Sequence, residues 1–523
     1  MDAALSPRTG SQADLAALRD LFGRARFTEQ DLCSRLKVRF VHEADSRAAR
    51  IRLAAFDQSD VLGVLIRLLV LGRPIPISTF EASFSDSERA ALVGTRLVRL
   101  DDHEGARASC PVRMVTLTTS GRSLTLACDR EIGLEGAPVA LPPDVVFPPH
   151  SMLTRQFLSV LPLPQEGAML DLCTGSGVAA LLSGHRARRV VAIDIAGRST
   201  AFARFNAWLN AMPQLEVIEG DLYKPLGDER FHWVLAHPPY VPTFRPTAIF
   251  RDGGELGDAV VRQIAEGLAR HLEVGGTLYM VCLGMDTGEG LFEERVRRWM
   301  GPQGKAFDII FATAQVKTVE AFSETLAEGA IYADPDEQER RRALFRTHGV
   351  TGVVHGALVA RRLTEGAQGE THRVKIDSAT TAASFDWLFG WLAAGRAPAF
   401  ADRLLASRAK LLDGTTLDVS NVVEKGDVVP RTFRLGNRGR PFPATIETDP
   451  WVIRLVMSLD GRVSLAEALT RARDEGHLPD GFQTSDAERV IRYLIERGIL
   501  EADLRVEGTE EATEETVQHR ETE

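Results

Sequence analysis

The chain has 523 residues, 44% hydrophobic and 26% charged, with a formal net charge of −10. That length predicts several folded units, and the composition is that of an ordinary globular protein. The charge excludes the large overall basic excess of a general nucleic-acid binder, since the segment 507–523 holds seven Glu against one Arg and the rest is near neutral.

Taken in chain order, residues 1–10 read as disordered and lack a basic-then-apolar leader. The longest apolar run, 61–72, is interrupted by Arg67 and is too short to span a bilayer. Five scattered cysteines (Cys33, Cys110, Cys128, Cys173, Cys282) form no disulfide framework and no Cys/His metal cluster. A cytoplasmic protein with no membrane partner and no metal is therefore expected. Helical patterns run from 13 to 95, and VRMVTLTT (112–119) with SLTLACD (123–129) reads as a hairpin around Gly121. This 1–133 region is an α+β substrate or accessory domain. Its helices followed by a ribbon resemble a winged helix, and equally a lid with no nucleic-acid role.

Residues 134–165 are a Pro-rich linker and a lead-in helix, and such a linker can form one wall of a site. Between 166 and 363, apolar runs at 169–172, 190–195, 215–218, 233–236, 277–283, 308–312 and 352–360 alternate with helical patterns. They predict an α/β, Rossmann-like seven-stranded sheet with helices on both faces. The last two strands, joined by a polar helical segment at 334–347, are expected as an antiparallel pair at one edge. Residues 364–445 are connecting helices and strands. Residues 446–506 form a small helical domain, winged-helix-like, resembling both peptide-carrying domains of peptide-modifying enzymes and dimerisation modules. Residues 507–523 are a disordered acidic tail.

Chemistry concentrates in the third region. The first strand ends in Asp171-Leu172-Cys173-Thr174-Gly175-Ser176-Gly177, a small-residue turn that lets a ligand approach the backbone closely. Asp194 ends the next strand, about 20 residues on, placed to take two ribose hydroxyls. Dinucleotide and S-adenosylmethionine sites share that logic. Gly220-Asp221-Leu222 and His237-Pro238-Pro239-Tyr240 end the third and fourth strands, so all four ends converge. Two consecutive prolines lack N–H groups, leaving a turn of carbonyl acceptors, and Tyr240 offers a ring for stacking.

With these motifs, residues 166–363 resemble a class I S-adenosylmethionine-dependent methyltransferase. They are similar to the small-domain group that includes the release-factor glutamine and ribosomal-RNA guanine N-methyltransferases, whose turn reads Asn/Asp-Pro-Pro-Tyr/Phe. FRDGGELGDAVVRQI (250–264) matches the Gly-Gly-x-x-Gly stretch of that group. The region 13–150 and YADPDEQERRR (332–342) resemble a bacterial branch of it. The resemblance does not reach the C-terminal domain. It implies that Asp171, Cys173, Thr174, Gly175 and Gly177 form the first cofactor motif. It places Asp194 at the ribose, Asp221 and Leu222 at the adenine, Ile195 in the cofactor site, and His237, Pro238, Pro239 and Tyr240 at the substrate amine, with His237 also beside the cofactor.

Two positions depart from the pattern. Cys173 stands where many relatives carry Gly, and reads as a compact substitute. His237 replaces Asn or Asp. Three roles are open to it: a neutral hydrogen-bond acceptor, a general base, or a mark of altered or lost activity. The resemblance implies methyl transfer to nitrogen of a protein, RNA or small-molecule amine or amide, with the Pro238 carbonyl and His237 orienting the N–H groups. An acid limb near the ordinary His pKa of about 6.5 is expected. Alternatives are an O-methylating or natural-product tailoring enzyme and a non-catalytic S-adenosylmethionine-binding regulatory protein. An NAD-dependent dehydrogenase is permitted by the loop 175–180 (GxGxxA) but disfavoured by the Pro-Pro-Tyr turn.

Overall fold

A computed structural model describes residues 6–46, 49, 53, 56, 59–101, 107–130, 142–164, 166–244, 248–328, 335–437 and 441–504. The acidic tail expected at 507–523 lies outside the described residues, as do the first five residues and most of the linker up to 141. The chain divides into two compact units, 1–373 and 374–523. The segments read as 1–133 and 166–363 both fall in the first.

The first unit opens with the helix Gln12–Arg24, which buries Leu15, Leu18, Leu21 and Phe22 along one stripe. Ser11 and Asp14 close its N-terminus as a reciprocal capping box. The expected hairpin forms as Arg113–Thr119 and Arg122–Cys128. Ser120 and Gly121 both have positive φ, 50° and 74°, the two-residue turn whose twist matches a hairpin.

The centre of the unit is one sheet. In chain order it is built from α1 (Met152–Ser159), β1 (Ala168–Leu172), α2 (Val178–Ser183), β2 (Arg189–Asp194), α3 (Gly197–Leu209), β3 (Leu215–Glu219), β4 (Phe231–Ala236), α4 (Ala259–His271), β5 (Leu272–Thr287), α5 (Phe292–Trp299), β6 (Phe307–Lys317), α6 (Val319–Glu328), α7 (Pro335–Thr347), β7 (Val350–Arg362) and β8 (Thr371–Lys375). The strand order is β8-β6-β7-β5-β4-β1-β2-β3. β1 to β5 pair parallel. β7 lies between β5 and β6 and is antiparallel to both. This is the Rossmann-like arrangement that the seven apolar runs predict, with the order reversing between β1 and β4. Leu170, Val191, Val234, Leu278 and Phe311 belong to the fully buried core that it shares with α4 and α5.

Two expectations need correction. The sheet has eight strands rather than seven, and the antiparallel pair is not its edge, because β8 lies beside β6 at the start of the stretch read as connecting helices and strands. Arg373 accounts for it. Its guanidinium donates to Asp286 on β5 (2.6 and 2.7 Å) and pairs with buried Glu293 on α5. The strand's cation is thus held by two carboxylates, beside the buried Val374.

In the second unit, the strands Thr416–Glu424, Asp427–Asn437 and Ala444–Thr448 form an antiparallel sheet. Lys410–Leu411 pairs with Leu500–Glu501, so the segments read as 364–445 and 446–506 share a ladder. The helices Pro450–Ser458, Leu465–Asp474 and Thr484–Glu496 follow the expected pattern. Among the described residues no helix is long and apolar enough to cross a membrane.

Candidate active site

A cavity of about 1110 Å³ lies at the carboxyl ends of the parallel strands. Asp171, Asp194, Asp221 and the His237 turn all line it, as expected for ligands at a topological switch point.

After β1 the chain turns through Cys173 (φ 56°), Gly175 (φ 55°) and Gly177 (φ 81°), all left-handed. Gly177 also approaches α3 closely, since a Cβ there would sit 3.2 Å from Ala203 Cβ. Cys173 accepts a left-handed backbone shape that suits Gly, at some conformational cost. Burial and the carboxylates of Asp194, Asp171 and Asp221 push its thiol pKa up, so it is a neutral group and no thiolate.

Asp171 organises this loop. Its Oδ2 accepts from Thr174 Oγ1 (2.6 Å) and from the Ala180 N–H of α2 (3.2 Å). Burial raises its pKa to about 7, opposed by the Thr174 hydroxyl. Asp194 fixes the loop from the second strand: Oδ2 accepts from Gly175 N–H and Oδ1 from Ala196 N–H, both at 2.9 Å. Burial raises its pKa as well, and those N–H groups oppose the rise. Ile195 beside it is 57% exposed and lines the cavity. Asp221 pairs with Lys224 at 2.5 Å, and Leu222 follows it in the left-handed region at φ 49°.

The fourth strand end carries the aromatic part of the site. His237 stacks on Tyr240 (centroids 5.8 Å apart, planes 10° apart) and meets the edge of Phe157 from α1 at 5.4 Å. Burial among these rings, with His355 nearby, pulls the His237 pKa down to about 4. The ring therefore stays neutral through the ordinary His range near 6.5, because it has lost the water that would solvate its cation. Tyr240 is pinned twice. Its hydroxyl lies 3.4 Å from His355 Nε2 on β7, and its backbone is crowded by the Gly-Gly-x-x-Gly stretch. A Cβ on Gly257 would lie 2.3 Å from the Tyr240 carbonyl oxygen, and one on Gly253 2.7 Å from Tyr240 Cα. Only glycines fit there.

Three features of the site are not in the motifs. His355 sits in an apolar run with no local signal. Phe147 and Phe250 stack at 5.1 Å across the cavity wall, and nothing in either local pattern pairs them. Asn206 of α3, fully buried, donates to the Ser176 carbonyl in the loop at 2.8 Å.

Residues 152–300 match the family model of the methyltransferase small domain. The chain is 30% identical over 168 residues to a release factor glutamine methyltransferase of Geobacter sulfurreducens, covering 29% of this chain and 58% of that one. It is 30% identical over 161 residues to a ribosomal protein uL3 glutamine methyltransferase of Bradyrhizobium diazoefficiens, covering 28% and 50%. The chain thus spans about half the length of the curated relatives it matches. A ribosomal protein L11 methylase from Lactobacillus delbrueckii is similar at 16% identity and a TM-score of 0.23, covering 38% of this chain and 71% of that one. The cofactor the family implies is S-adenosylmethionine, and the donor set fits it: carboxylates for a ribose diol and a cationic sulfonium, and apolar surface for an adenine.

Proposed function

We propose that the protein is an S-adenosylmethionine-dependent methyltransferase acting on nitrogen. The observation that carries this reading is that the Gly-rich loop, Asp194, Asp221 and the His237-Pro238-Pro239-Tyr240 turn line one cavity. Bound there, the cofactor supplies an electrophilic methyl group. Asp194 takes the ribose hydroxyls, Ile195 and Leu222 flank the adenine with Asp221 at its edge, and Asp171 with Thr174 holds the loop of Cys173, Gly175 and Gly177 in shape. The Pro238 carbonyl accepts an N–H of the acceptor. A neutral His237 accepts a second through a ring nitrogen, and Tyr240 holds that ring by stacking. The enzyme's contribution is chiefly positioning in a site partly walled from water. A ring of pKa about 4 is a weak base at neutral pH, which favours the acceptor role over deprotonation of a hydroxyl. The glutamine acceptors named for the relatives support a nitrogen nucleophile.

The test is transfer of a labelled methyl group from S-adenosylmethionine by the full chain to cell lysate treated separately with protease, nuclease or a size filter. Label in an acid- and base-stable N-methyl product is expected, lost with Asp194→Ala. Cofactor binding with no transfer to any fraction, or a base-labile ester product, overturns nitrogen methylation.

A further inference from the structure

We propose that the acceptor half of the cavity is a subsite for an uncharged small molecule with a planar aromatic ring that bears the accepting nitrogen. The proposal rests on the methyltransferase reading and narrows its substrate class.

The wall around the turn is made of rings. Phe157, His237 and Tyr240 form a continuous row. Phe147 and Phe250 lie nearly parallel, with 19° between planes, and come from segments over 100 residues apart in the chain. Those two segments are also tied by the Ile249 N–H donating to the Pro143 carbonyl at 2.8 Å. Asp252 Oδ2 fixes the second segment by accepting from the Ala248 N–H at 2.8 Å. Both segments line the same cavity as the His237 turn. A preformed wall of aromatic side chains binds a flat ring by stacking and edge contacts at little ordering cost.

The charges argue against a nucleic acid. Among the described residues, the charged groups lining the cavity are five aspartates (144, 171, 194, 221, 252) and a single cation, Arg251. Arg251 Nε lies 3.9 Å from Asp252 Oδ1, and a phosphate backbone needs a cationic track. The backbone argues against an extended peptide. Beside the turn, the Val241 N–H donates to the Arg251 carbonyl (2.8 Å) and the Val241 carbonyl accepts from Gly253 N–H (2.9 Å). That strand edge is closed to β-augmentation. Leu153 and Ile249 remain 39% and 45% exposed while lining the cavity, which gives the entrance an apolar surface. In the transfer, the nitrogen lone pair forms the N–C bond as the donor's S–C bond breaks. The sulfonium becomes a neutral thioether and one N–H proton leaves to water.

The test is calorimetric titration of the full chain, saturated with S-adenosylhomocysteine, with 1-naphthylamine, cyclohexylamine, a glutamine-containing peptide and an oligoribonucleotide. Naphthylamine is expected to bind roughly tenfold more tightly than cyclohexylamine. Phe250→Ala and the bulk-preserving Phe250→Leu should each weaken it roughly fivefold with S-adenosylhomocysteine affinity unchanged, which also shows that the variants fold. Equal binding of the two amines, no effect of either substitution, or binding of the peptide or oligonucleotide alone overturns the ring subsite. Failure of S-adenosylhomocysteine to bind overturns the methyltransferase reading instead, and naphthylamine titrated without it still decides the subsite.

Discussion

His237 and His355 are both held neutral well below the ordinary range, at about 4, by burial first and by a neighbouring basic group second: the His355 ring for His237, the Lys317 charge for His355. His355 is 8% exposed, and its Nδ1 meets no hydrogen-bond partner among the described residues. In the unfolded chain these rings take up protons near pH 6.5. Between pH 6.5 and 4 the unfolded state therefore binds more protons, and stability falls as pH falls through that window; above 6.5 the slope from these rings vanishes. His355→Phe keeps an aromatic against Tyr240 and removes one titration. Its loss of stability between pH 7 and pH 4, read from urea unfolding, should be smaller than that of the parent by up to about 3 kcal/mol. An identical pH slope in the variant would show that His355 is already solvated enough to protonate in the folded state. Neither ring's environment was legible in the sequence. HPPY announces a turn, but a pKa depends on what packs around the ring, and Phe157 and His355 come from 80 residues before the turn and 118 residues after it.

At the scale of elements, α3 does more than cover the sheet. The strand Arg122–Cys128 lays its open edge along this helix, where Asn206 and Asn210, one turn apart, stand in for a neighbouring strand. Asn206 Oδ1 accepts from Ala127 N–H (2.7 Å) and its Nδ2 donates to the Ala127 carbonyl (3.0 Å). Asn210 repeats the pair with Thr125 at 3.1 and 2.8 Å. Arg122 donates to the Leu181 carbonyl at the end of α2 at 2.6 Å. The ribbon that reads as a wing thus has one edge occupied by its own chain. Because Asn206 also reaches the Ser176 carbonyl, it joins the ribbon to the Gly-rich loop. Asn206→Ala leaves three buried backbone groups without partners and should cost about 2–4 kcal/mol. It should also weaken S-adenosylmethionine binding several-fold, whereas Asn210→Ala should cost less and leave that affinity unchanged. Calorimetric titration beside unfolding measures both, and unchanged affinity in Asn206→Ala would uncouple ribbon from loop. Strand ends were legible because Asp171, Asp194 and Asp221 each lie at or just past the end of a local apolar run. The asparagines were not, since an Asn in a helical pattern does not name a partner about 80 residues away.

At the scale of the molecule, every described residue lining the cavity lies between 143 and 325, inside the first unit, 1–373. A chain ending at residue 380 keeps β8 (Thr371–Lys375) whole and with it Arg373, whose pairs with Asp286 and Glu293 are only partly open to water. That fragment should bind S-adenosylmethionine as the full chain does and unfold in a single cooperative transition. A chain ending at residue 365 loses the cation but keeps both carboxylates. Glu293, with its side chain 1% exposed, is then a buried charge with its partner removed, a change that costs about 3–5 kcal/mol where it has been measured in other proteins. Its pKa, already raised by burial against the opposing pull of Arg373, should rise further, so the shorter fragment should regain stability as pH falls and Glu293 takes up a proton. Melting both fragments between pH 8 and pH 5 separates the outcomes. Equal stability at every pH would mean that β8 is dispensable to the sheet. A tenfold loss of cofactor affinity in the 380 fragment would mean that residues of the second unit complete the site.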